Sequence, residues 1–188
     1  MSGGGSDANL SLSGASTVSP AGELVLTSGG ANGFGQVSGA GTLTNNGTIE
    51  SSVTSGGSYD LLDVNLDNAV SGKVEVASGD LEQTNATSTT NDGIVITDPG
   101  TLYEISQGTF TGESDGTMEF EIAGASNFGS VLVSGSGQFA LNGGTVQGAL
   151  EGGFTPPIPA PDSASSPAPT AERSQPSRAD LPRRSARA

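Results

Sequence analysis

Three aspartates spaced three and four apart, Asp60, Asp63 and Asp67, are the residues of this chain that come nearest to a chemical motif. Carboxylates clustered on one face of a β structure suit general acid–base work on a glycosidic bond, and they also suit a hard cation such as calcium. Lyase or hydrolase chemistry on such a cluster usually needs a cationic base or charge stabiliser beside it. The chain has no His, no Arg before Arg173, and in residues 1–155 a single base, Lys73. A paired-carboxylate glycosidase needs neither, yet residues 1–155 hold seventeen acids and the sequence singles out no pair among them. The expectation is therefore a non-catalytic protein with no catalytic, cofactor-binding or metal-ligating residues, and the alternatives are a carbohydrate-active enzyme, lyase or hydrolase, or a carbohydrate- or calcium-binding module.

Other motifs are weaker. The stretch Gly3-Gly4-Gly5-Ser6-Asp7-Ala8-Asn9-Leu10 partly echoes the Gly- and Asp-rich nonapeptide that binds calcium between successive β coils, but that site needs several copies. No cofactor is expected, and weak surface calcium binding stays open because carboxylates are plentiful. Asn46-Gly47-Thr48 and Asn85-Ala86-Thr87 match the glycosylation triplet, and they are read here as residues at corners that stack between coils. Thr42-Leu43-Thr44 has the form of the hydroxyl rows of ice-binding solenoids, with no recurrence in register evident along the sequence.

The elements that must position these residues are strands. Among the 188 residues are 30 glycines, few aromatics and no cysteine, which excludes disulfides and thiol chemistry and favours strands and turns over helices. Charge is uneven: the seventeen acids and one base of residues 1–155 contrast with three acids and five arginines in residues 156–188. So acidic a body repels phosphate backbones, which excludes nucleic acid as its partner. No apolar run is long enough to cross a bilayer.

A short phrase of apolar, any, apolar, small residue and Gly-marked loop returns along the chain, at Leu24-Val25-Leu26, Val74-Glu75-Val76, Ile94-Val95-Ile96 and Val131-Leu132-Val133. A strand followed by a corner, repeated, predicts a β-solenoid, in which each coil buries its apolar face against the next. Alternation places strands near 9–12, 23–27, 41–44, 61–65, 73–77, 94–97, 101–105, 117–123, 130–134, 137–141 and 145–150. The phrase spacing suggests coils of roughly 18–25 residues, about seven in all. Asn46-Gly47, Asp92-Gly93, Asp115-Gly116 and Asn142-Gly143 suit the positive φ angles of tight turns, and the same dipeptides keep an antiparallel β-sandwich open as the alternative fold. The middle residue of each triplet is expected to face outward. That makes Val25, Val95 and Leu132 the candidate partner-facing residues.

The stretch from Leu66 through Val74-Glu75-Val76-Ala77-Ser78-Gly79-Asp80-Leu81 to Gly100-Thr101-Leu102, together with Leu43-Thr44-Asn45-Asn46-Gly47-Thr48-Ile49-Glu50, resembles the repeats of large bacterial secreted and surface β-helix proteins, such as autotransporter adhesin passengers. The segment from Val131 to Pro156 is similar to the closing coil of such arrays. The resemblance implies a right-handed parallel β-helix at the cell surface or secreted, serving adhesion or display toward a surface glycan or protein, as a monomeric module of a larger chain. It brings no family-wide active site. Met1-Ser2-Gly3-Gly4-Gly5-Ser6 has the form of no secretory signal, so export is inferred from the resemblance alone.

The expected organisation is a flexible leader over 1–8, a solenoid body over 9–155 and a disordered tail over 156–188. The tail is rich in Pro, Ala, Ser and Arg and cannot bury enough apolar surface to offset its chain entropy. Its composition is that of a GC-rich gene read out of frame, so the chain is expected to be truncated or frame-broken near residue 156.

Overall fold

Corners decide this fold. In a computed structural model of the chain, which describes residues 8–28, 33–54, 59–85 and 87–157, Gly22, Gly47, Gly72, Gly93, Gly116 and Gly144 each stand just before a strand of one face. A side chain on Gly47 would place its Cβ 2.2 Å from the Ser19 carbonyl oxygen, and one on Gly93 would meet the Gly72 oxygen at the same distance. Glycine is required here because the backbone of the rung below passes too close. Positive φ is not the reason at Gly47, Gly93 and Gly116, although it holds at Gly143, whose φ is 101°.

Between these corners the chain is all strand, with no helix among the described residues. The first turn is β1 (Ala8–Ser11), β2 (Ser16–Val18) and β3 (Glu23–Leu26). The second is β4 (Gly35–Asn45) with β5 (Thr48–Ser52), and the third is β6 (Tyr59–Asn68) with β7 (Lys73–Ser78). Next come β8 (Asp80–Gln83), β9 (Ser88–Asn91) and β10 (Ile94–Thr97), then β11 (Leu102–Ile105), β12 (Thr109–Gly112) and β13 (Thr117–Gly124). After the short β14 (Asn127–Phe128), the last turn is β15 (Ser130–Val133), β16 (Gln138–Leu141) and β17 (Thr145–Leu150).

Each turn visits three faces. The first half of β4 and of β6 joins β1, β8, β11 and β15 on the first face, and their second halves join β2, β9, β12 and β16 on the second. The third face stacks β3, β5, β7, β10, β13 and β17. Pairing is parallel throughout except where β14 turns back on β13. The chain is thus a parallel β-solenoid whose six rungs are separated by five full turns, and the antiparallel sandwich is excluded. Glu23, Thr48, Lys73, Ile94, Thr117 and Thr145 share one column, so a turn takes from 21 to 28 residues and the expected seven coils become about five.

The core runs up the axis. Val37, Leu62, Val64, Val76, Leu81, Ile105 and Phe110 are fully buried, and Val131 and Phe139 of the last turn pack against the same cluster. Burying each such side chain stabilises the fold by about 2 kcal/mol. No helix of the described residues is long and apolar enough to cross a membrane. Of the expected leader, residues 1–7 lie outside the described residues and Ala8 opens β1; of the expected tail, residues 158–188 lie outside them.

Register corrects one expectation. The sequence phrase aligns Val74-Glu75-Val76 with Ile94-Val95-Ile96, whereas the ladder pairs Val74 with Val95 and Val76 with Thr97. The two copies are out of step by one residue, and a one-residue slip moves every side chain to the opposite face. Val95 is 1 % exposed and belongs to the core, so it is not a partner-facing residue. The Val131 copy differs again, for it lies on the first face beside Tyr103.

Candidate functional site

The fold separates the three aspartates Asp60, Asp63 and Asp67. Asp60 points into the column and is fully buried, accepting hydrogen bonds from the Gly35 N–H (2.9 Å) and the Ser51 hydroxyl (2.8 Å). Asp63 is also buried, where its Oδ2 accepts from Gln36 Nε2 (2.6 Å) and Asn85 Nδ2 (2.8 Å). Asn85 reaches it from a left-handed backbone conformation, φ 57°. Asp67 faces outward on the second face, between Thr44 and Thr90. Asp60 and Asp63 tie neighbouring turns together, and the three do not converge on one site. Among the described residues no group of three or more His, Cys, Asp or Glu side chains is placed to hold a metal.

Polar order inside the column is structural. Asn45, Asn68 and Asn91 stack on successive rungs, with Asn45 Nδ2 donating to Asn68 Oδ1 (2.8 Å) and Asn68 Nδ2 donating to Asn91 Oδ1 (2.6 Å). Their remaining groups serve the corner beside them: Asn45 Oδ1 accepts from the Gly47 N–H, and Asn91 Nδ2 donates to the Thr117 carbonyl. Higher up, Gln83 Oε1 accepts from the Thr89 hydroxyl and from the Tyr103 hydroxyl. Burial pushes the Tyr103 hydroxyl up to about 12. Satisfied buried networks of this kind favour one register over its neighbours.

Outside, the faces differ in chemistry. On the third face one outward column reads Val25, Glu50, Glu75, Ile96, Glu119 and Gln147. Lys73 pairs with Glu75 at 2.5 Å and is the one cation of residues 1–155. Burial, then repulsion from Glu75, raises Asp98 above the ordinary carboxylate range, and burial followed by repulsion from Asp98 raises Glu121. On the first face burial and then Glu104 raise Asp80.

The second face is the exception to this acidity. One outward column reads Thr17, Thr44, Asp67, Thr90, Thr111 and Ala140, and the column beside it reads Thr42, Asn65, Ser88, Thr109 and Gln138. The Ser88 hydroxyl donates to Asn65 Oδ1 at 3.1 Å, bridging two rungs along the second column. Rungs of a parallel sheet lie ~4.8 Å apart and alternate residues ~6.6 Å, so these side chains form a regular grid with one carboxylate in it. The triplets Thr42-x-Thr44, Ser88-x-Thr90 and Thr109-x-Thr111 therefore do recur in register. The sequence hides this because Ser replaces Thr once, Asn65-x-Asp67 intervenes, and turns differ in length.

Of the expected partner-facing residues, Val25 and Leu132 are 44 % and 45 % exposed, on the first and last turns. Of the glycosylation triplets, Asn46 lies at a corner, where its carbonyl accepts from the Ser71 hydroxyl, while Thr48 opens β5; Asn85 lies in a turn and donates to Asp63, and Ala86 lies outside the described residues. No protein-family model matches the chain, and no curated protein or solved structure is significantly similar to it.

Proposed function

We propose that the chain is a non-catalytic structural segment of a secreted or cell-surface bacterial protein, serving adhesion or surface display, and that its hydroxyl-rich second face is turned toward a neutral glycan. The observation that carries this reading is the in-register grid of Thr, Ser and Asn side chains on an otherwise acidic column. A carbohydrate offers hydroxyls at regular intervals, and hydroxyl and amide side chains meet them as both donor and acceptor. Docking on the nearly neutral face avoids desolvating the carboxylates that line the third face. The resemblance to bacterial surface β-helix repeats supports the location.

The test is binding of the full chain to a panel of immobilised neutral polysaccharides. The double variant Thr90→Val with Thr111→Val keeps β-branched shape and removes two hydroxyls. It is expected to lose at least tenfold in binding, while Glu50→Gln on the third face retains it. Equal binding by both variants would remove the second face from the reading, and no binding across the panel would leave display without adhesion.

The same triplets favour a second reading, in which the grid orders a water lattice at an ice surface. Asp67, charged and central, weighs against it. Thermal hysteresis in a solution of the chain would decide for the ice surface.

A further inference from the structure

We infer that copies of this chain stack end to end, the last turn of one on the first turn of the next, through a seam that continues the solenoid. Both ends of the described column expose core-type side chains. On the last turn Val133, Leu141, Val146 and Leu150 are 44 to 54 % exposed, and on the first turn Leu10 is 44 % exposed. The first turn also carries a recess of about 310 Å³, lined by Leu10, Leu12, Leu24 and, from the turn above, Leu43, and on its polar side by Ser19 and Glu23. One end presents apolar knobs and the other a recess with a largely aliphatic lining.

The strand edges agree. Among the described residues β1 and β2 pair only with β4, and β3 only with β5, while β15, β16 and β17 pair only with β11, β12 and β13. Each end thus offers three parallel strand edges on the same three faces, with unpaired N–H and C=O groups that template another strand. A second copy supplies all three edges at once, with the same polarity and cross-section.

Following the columns across the seam sets Val131 over Ala8, Val133 over Leu10, Phe139 over Ser16, Leu141 over Val18, Val146 over Leu24 and Gly148 over Leu26. Large meets small in three of these six pairs, and aliphatic meets aliphatic in the others. Outward pairs at the seam are Leu132 with Asn9, Ala140 with Thr17, Thr145 with Glu23 and Gln147 with Val25. No like charges meet there, although within the column Glu50 stacks on Glu75 and Glu82 on Glu104. On a chain of net charge −14 the two ends are where a second copy approaches with least local repulsion. The contact is heterologous, so it extends into a line.

Sedimentation velocity of the full chain over a range of concentration and salt tests this. The weight-average mass is expected to rise to several times 18.4 kDa, more so at high salt, which screens the overall repulsion. Leu10→Glu blocks the first turn and Leu141→Glu the last, so each alone should stay monomeric while an equimolar mixture forms dimers and nothing longer. Leu150→Glu replaces Leu141→Glu if the latter loses its β circular dichroism. A monomer at every condition overturns the proposal. So does association of Leu10→Glu by itself, which would mean a last-turn to last-turn contact. Assembly seen only after removal of residues 158–188 would show that this segment covers the last turn, and overturns it for the intact chain.

Discussion

The Asn45 and Asn68 side chains, 23 residues apart in the chain, meet inside the column at 2.8 Å, Nδ2 of the first donating to Oδ1 of the second. Asn68 passes the pattern on by donating to Asn91 Oδ1 and to the Ile94 carbonyl. It is the middle of the stack. Asn68→Ala leaves both neighbours with unmet groups in the dry interior, and an expected loss of about 3 kcal/mol follows from those groups and the cavity. Denaturant unfolding followed by circular dichroism measures it, and a loss under about 1 kcal/mol would mean that water replaces the amide.

Gly93 is expected to tolerate no side chain. Its Cβ would lie 2.2 Å from the Gly72 oxygen and 2.4 Å from the Ala69 oxygen, and backbone at a corner has nowhere to move. Gly93→Ala should cost about 3 kcal/mol or more, while Gly14→Ala, with nothing within 4 Å of the new methyl, should change stability by about 0.5 kcal/mol at most. Thermal midpoints of the two variants side by side provide the check.

Val25 and Val95 occupy the same place in the sequence phrase and opposite places in the fold. Val95→Asp buries a carboxylate among Val74, Met118 and their neighbours, and is expected to abolish the β signal or cost several kcal/mol. Val25→Asp should leave the unfolding midpoint nearly unchanged, because the side chain already faces solvent. Equal damage from both would show that the outer surface at Val25 is covered.

Acid should stabilise this protein at first. Asp98, Glu121 and Asp80 are all held above their ordinary values, chiefly by burial and then by neighbouring carboxylates. The folded state then binds protons more tightly than the unfolded chain, so stability falls as pH rises through the window between the ordinary value, 3.8 for Asp, and the raised one. Lowering the pH from 7 into that window should raise the thermal midpoint. Glu151→Gln removes a charge that acts on both Asp98 and Glu121, and should raise the midpoint at pH 7 while narrowing the difference between the two pH values. A midpoint that falls steadily from pH 7 downward contradicts the expectation.

Much of the architecture was legible because it is written locally. Alternation predicts strands over 73–77, 94–97, 101–105 and 137–141, and strands stand at Lys73–Ser78, Ile94–Thr97, Leu102–Ile105 and Gln138–Leu141. Ser16–Val18, Thr48–Ser52, Asp80–Gln83, Ser88–Asn91 and Thr109–Gly112 escape that reading. Most put Ser, Thr, Asn or Gln at inward positions, such as Ser51, Gln83, Thr89 and Asn91, where the pattern seeks an apolar residue. Those inward polar groups are buried because other strands meet their hydrogen bonds: Asn91 by Asn68 and Thr117 on the neighbouring rungs and Gln83 in part by Tyr103, some twenty residues away, Ser51 by Asp60 nine residues on, and Thr89 by Gln83 six residues back.

By itself, then, the sequence determined that the chain builds strands with Gly- and Asn-marked corners, stacks them into a solenoid, and carries its charge as carboxylates. Tertiary structure alone decided the register. It sent Val95 inward and left Val25 outside, scattered Asp60, Asp63 and Asp67 into separate environments, and aligned Thr44, Thr90 and Thr111 on one face. The physical reason is that turns of 21 to 28 residues have no common period, so only pairing between rungs sets which residues share a column. Side chains alternate with period two, and a shift of one residue in that pairing exchanges core and surface.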